Sequence, residues 1–148
     1  MQGPASGCLW SDEQSRQPLH KALPVTGYIK SIRFQNQDNF LMRQHYDKLL
    51  TLIDQLPRHN TSYGVDNISN ILFQYKSILD AVNQTDDDYK RNTNLHYSEI
   101  GGIEHNIHQS QYARSQRQKD QAFSDAVSGL QSDIDALARL IKHREKFD

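Results

Sequence analysis

At 148 residues the chain has the length of one domain, yet only 36% of it is hydrophobic and its mean hydropathy is -0.81, which is thin for a self-sufficient core. A formal net charge of -1 argues against broad electrostatic binding to nucleic acid or anionic lipid. One cysteine, Cys8, excludes an internal disulfide and the usual thiolate metal sites, and no run of about 18 apolar residues is present to span a bilayer.

Residues 1–36 hold Pro4, Pro18 and Pro24, three of the four prolines, and are expected to form an irregular N-terminal arm. Within it Tyr28, Ile32 and Phe34, with Ile29 on the other side, predict a short extended apolar segment. Leu23-Pro24-Val25-Thr26-Gly27 resembles the motif that sortases cleave, but the apolar segment and basic tail of a sorting signal do not follow it, so Pro24 and Gly27 read as a turn. Ala5-Ser6-Gly7-Cys8 resembles the end of a lipoprotein signal without the apolar helix that should precede it. Met1–Trp10 has neither the basic start nor the apolar stretch of a secretory signal. A cytoplasmic location is therefore expected, with signal-independent delivery to the surface or medium as the alternative.

The remainder, residues 37–148, predicts a single helical domain. Met42, Tyr46, Leu49, Ile53 and Leu56 step 4-3-4-3 and give a helix over about 37–56 that stops at Pro57. Asp66 or Asn67 is expected to cap a second helix over about 66–84, whose buried face is Ile68, Ile71, Leu72, Tyr75, Ile78, Leu79 and Val82. The short polar connection makes the two an antiparallel hairpin. Thr85-Asp86-Asp87-Asp88 reads as the opening of a third helix, about 86–100, with Thr85 capping and the carboxylates complementing the dipole.

Gly101-Gly102 is expected to weaken or bend the chain at that point, since each glycine costs about 1 kcal/mol in a helix interior. One long helix over about 103–146 should follow. Its first half is poor in apolar residues and rich in amides (Gln109, Gln111, Gln116, Gln118, Gln121), which suggests an exposed strut. Ile100, Ile103 and Ile107 are out of register with the later seam, implying a stutter. That later seam is the clearest signal in the chain: Phe123, Val127, Leu130, Ile134, Leu137 and Ile141 step 4-3-4-3-4, the spacing of a coiled coil. It either folds back on the hairpin or pairs with another chain.

Chemical signatures are sparse. His105 and His108 lie near Glu99 and Glu104 at helical spacing, which makes a small metal-binding bundle one alternative, although Glu-x-x-His is absent and surface histidines are the simpler account. Asp86–Asp88 lack the glycine and distal glutamate of a calcium loop. Arg114, Arg117 and Lys119 form a basic island, and Lys142, His143, Arg144 and Lys146 another that suits a helix C-terminus. No nucleophile, base and orienting group can be assembled from sequence, so neither catalysis nor a cofactor is expected. The reading is an all-α structural or adaptor subunit that binds protein partners, homo- or hetero-oligomeric, through Phe123, Val127, Leu130, Ile134, Leu137 and Ile141. A secreted or surface-delivered bacterial helical protein is the other alternative.

Overall fold

Amphipathic stripes as narrow as these cannot be buried by one helix alone, and in the computed structural model, which describes residues 40–147, they face one another. Four helices and no strands are found among the described residues: α1 over 40–54, α2 Ser62–Asn83, α3 Asp87–Tyr112 and α4 Gln116–Glu145. The predicted arm 1–36, with its apolar segment and Cys8, lies outside the described residues.

Side-chain pairs fix the topology. Lys76 meets Glu104 at 3.2 Å and Asn83 donates to Thr93 at 2.9 Å, so α2 and α3 run antiparallel. Tyr89 donates to Glu145 at 2.7 Å while His96 meets Asp133, so α3 and α4 do likewise. The Tyr46 and Phe147 rings meet edge to face at 5.7 Å, and Ile53 sits beside Ser128 and Ser132, which sets α1 antiparallel to α4. The result is an up-down-up-down bundle. Its core takes Leu49 and Leu52 from α1, Ile68, Leu79 and Val82 from α2, Ile100 and Ile103 from α3, and Leu130, Ile134 and Leu137 from α4. Each such side chain contributes about 1.5–3 kcal/mol on burial.

The helix boundaries depart from expectation in three places. Thr61, not Asp66 or Asn67, caps α2, accepting from the Gly64 amide at 2.9 Å, so the helix begins a turn earlier and buries Val65. Asp86, not Thr85, caps α3 through the Tyr89 amide at 2.8 Å, while the Thr85 hydroxyl turns back to donate to the Ala81 carbonyl. Most consequentially, α3 runs straight through Gly101-Gly102, and the break falls at 113–115. Buried Ile100 and Ile103 flank the glycines and hold the backbone helical by tertiary packing. Ser115 and Gln118 form a reciprocal capping box that restarts the chain as α4. The expected strut is therefore the tip of an α3–α4 hairpin, and the stutter is a turn.

Two glycines predict opposite responses to the same substitution. A Cβ on Gly64 would lie 2.2 Å from the His59 carbonyl oxygen, whereas Gly102 has nothing within 4 Å. Gly64→Ala should destabilise the protein by about 1–3 kcal/mol through overpacking, and Gly102→Ala should stabilise it by about 0.5–1 kcal/mol. Urea denaturation of both variants reads the sign directly.

Candidate functional site

The α4 seam offered in the sequence as a partner surface is closed within the chain. Phe123, Leu130, Ile134, Leu137 and Ile141 are buried and Val127 is packed against the same core, so in this conformation they present no free stripe to a partner. Aspartate at Leu130 or Leu137 would consequently disrupt folding before it could report on binding. The helices that cover the seam are α1, α2 and α3 of the same chain.

Polar residues occupy the seam of α3, where Tyr89, Thr93, His96, Ile100, Ile103 and Ile107 step 4-3-4-3-4. Thr93 satisfies itself by donating to the Tyr89 carbonyl at 2.7 Å. His96 instead points across the bundle: its Nδ1 lies 2.9 Å from the Asp133 carboxylate and 3.0 Å from the Tyr75 hydroxyl, which itself donates to Asp133. With the imidazole proton on Nδ1, both His96 and Tyr75 donate to one carboxylate. This knot joins α2, α3 and α4, and its members are nearly enclosed, with the Asp133 side chain 8% and that of His96 12% exposed. Burial, then the hydrogen bond to Asp133 and its negative charge, push the Tyr75 hydroxyl far above the ordinary tyrosine range. Tyr75 thus acts as a fixed neutral donor.

A second cluster closes the open end of the α3–α4 pair, away from the turn at 113–115. Arg144 lies over the Tyr89 ring at 4.5 Å and pairs with Asp88 and, at 3.5 Å, with Asp86. Burial and the bond to Glu145 raise the Tyr89 hydroxyl in turn. The acidic run thereby serves α3 as cap and α4 as counter-ion. On the α2–α3 surface Tyr97 donates to Asp80 at 2.6 Å, and partial burial followed by that bond pushes its phenol up to about 12.

His105 and His108 are exposed, and the His108 ring rests against Tyr112 at 4.7 Å. Among the described residues no three His, Cys, Asp or Glu side chains gather as metal ligands. Arg114, Arg117 and Lys119 sit at the α3–α4 turn and form no ion pair among the described residues. A concavity of about 610 Å³ is an open cleft between the 57–60 loop and α4, lined by Pro57, Arg58, Asn60, Asp120, Phe123 and Ser124 among others. Asn60 spans the loop and the helix tip, donating to the Ser110 carbonyl and to Asp120, both at 3.2 Å. No described helix is long and apolar enough to cross a membrane.

Comparison with known proteins returns no matching family, no similar curated protein and no similar solved structure.

The knot and the raised phenols each predict a measurable loss. Asp133→Ala strands two buried donors and should cost about 3 kcal/mol or more, against about 1 kcal/mol for Tyr75→Phe. Combining Tyr75→Phe, His96→Leu and Asp133→Leu should recover much of the loss, as read by urea midpoints. For the phenols, the unfolded hydroxyl ionises first, near its ordinary value of 10.0, so their contribution is complete below that pH and is lost as the pH rises. For Tyr97 the loss spans pH 10 to about 12. Tyr97→Phe should accordingly flatten the fall in stability over that window, and equal slopes for variant and parent would exclude its contribution.

Proposed function

We propose that this chain is a non-catalytic structural or adaptor subunit that binds protein partners by presenting a rigid helical bundle. The observation that supports the reading most directly is the set of large apolar side chains left on an otherwise polar exterior. Leu95 is 80% exposed, Tyr63 76%, Phe73 70% and Tyr112 67%. Single exposed apolar residues are ordinary on any surface, but here they stand on helices whose own cores are complete. The binding surface accordingly lies on outer helix faces, where side chains at i, i+3 and i+4 can meet a partner helix or groove.

Rigidity favours this role. The Tyr75–His96–Asp133 knot and the Arg144 cluster lock the helix register from inside, so that the outer faces are held in one arrangement and less ordering entropy is lost on association.

The full chain, cross-linked in extract from its own cells and digested, tests the proposal. Cross-links to another polypeptide should emanate from bundle lysines such as Lys76, Lys90 and Lys119. They should be lost in Phe73→Ser or Leu95→Ser variants of unchanged helicity. Cross-links indifferent to every exposed apolar substitution would sink the reading.

A further inference from the structure

We propose that the end of the bundle at which α2 and α4 begin binds an acidic segment of a protein partner; the inference rests on the partner-binding reading above and names one surface and the chemistry it takes. Arg43, Arg91, Arg139 and Arg144 each pair with a carboxylate of their own chain. The other described arginines, Arg58, Arg114 and Arg117, form no ion pair among the described residues. All three stand at this one end, in the α1–α2 loop, the α3–α4 turn and the first turn of α4. Lys119 joins them there, half-buried and likewise without an ion pair among the described residues. A guanidinium is a planar fork of donors that matches a carboxylate two bonds at a time. Elsewhere on the bundle the chain supplies that carboxylate itself, and at this end it leaves the forks to be met from outside.

The same end is concave. Between the start of α2, the end of α3 and the start of α4 lies an open cavity of about 460 Å³, lined by Lys119 and by the hydroxyl and amide side chains of Thr61, Ser62, Gln111 and Gln116 among others. Asn60 and Gln116 also line the cleft of about 610 Å³ that holds Arg58, so the two hollows adjoin across the bundle end. Both α2 and α4 begin here without an acidic residue in the first turn, and their positive dipole ends add to the field of the cations. The carboxylates that share these hollows are Asp66 and Asp120. Asp120 is already engaged by the side-chain amides of Asn60 and Gln116, which leaves the cations in excess.

Two features favour a polypeptide over a nucleic acid as the source of the acidic groups. Asp66 and Asp120 interrupt the cations and would repel a continuous phosphate backbone, whereas a polypeptide can set its carboxylates against the arginines and its neutral amides against the aspartates; the chain's net charge of -1 adds no attraction for a polyanion. Tyr63 opens α2 and Tyr112 closes α3 at this same end, 76% and 67% exposed. Tyrosine and arginine are the residue types in which protein interfaces concentrate their binding energy, and the two rings offer apolar contact beside the ion pairs.

Fluorescence anisotropy tests the inference, with the full chain titrated into a fluorescein-labelled decaglutamate peptide and, separately, into labelled decauridylate. Saturable binding of the peptide is expected, weakening as salt is added. Arg114→Glu combined with Arg117→Glu, both at exposed side chains, should weaken it at least about tenfold at unchanged circular dichroism. Lys90→Glu combined with Lys142→Glu makes the same change in net charge at the opposite end of the bundle and should leave the binding as it was. No saturable binding of the peptide, or equal loss in both double variants, overturns the inference, while the cross-linking experiment still decides the partner-binding reading. Decauridylate bound more tightly than the peptide through the same two arginines overturns the polypeptide assignment in favour of a nucleic acid.

Discussion

A carboxylate inside a hydrophobic core has to be met by donors, and the way Asp133 is met constrains the rest of this bundle. Its two partners come from different helices, Tyr75 from α2 and His96 from α3. Slipping either helix by one residue would turn its donor away and leave a buried charge unsatisfied, a penalty of several kcal/mol. Apolar seams alone tolerate such slips, because leucine and isoleucine knobs fit several neighbouring holes. The knot therefore selects one register among packings that burial would leave close in energy, in the way a single buried polar residue fixes the register of a coiled coil.

The two ends of the bundle are closed by different means. At one, the α3 acidic run neutralises Arg144 and the left-handed Lys146 (φ 58°) turns Phe147 back onto Tyr46 and Arg43 of α1. At the other, Asn60 ties the α1–α2 loop to both the last turn of α3 and the first turn of α4. These contacts are polar and partly exposed, so each is individually modest. Their effect is to pin the chain where helix ends would otherwise fray.

Much of this architecture was legible in the residues. The apolar stripes of α1, α2 and α4 predicted helices where they occur, and the short connection predicted the first hairpin. The α3–α4 turn was not legible from apolar spacing, because a capping box of Ser115 and Gln118 looks, within an amide-rich run, like any other polar stretch. Gly101-Gly102 drew the break to itself because propensity is local, whereas Ile100 and Ile103 outweigh it only once α4 is in place. The His96–Asp133 pairing was hidden for a related reason. The α3 seam at 89, 93, 96, 100, 103 and 107 carried the signal, since a histidine at a buried seam position needs a partner, but only the fold could say that Asp133 supplies it.

A heptad seam says that a stripe will be buried and not whose helix will bury it, and the same spacing serves an intrachain bundle and an intermolecular coiled coil alike. The discriminating quantity is how many stripes the chain itself carries. Four stripes on four helices can close on one another, and once they do, no stripe is left over for another chain.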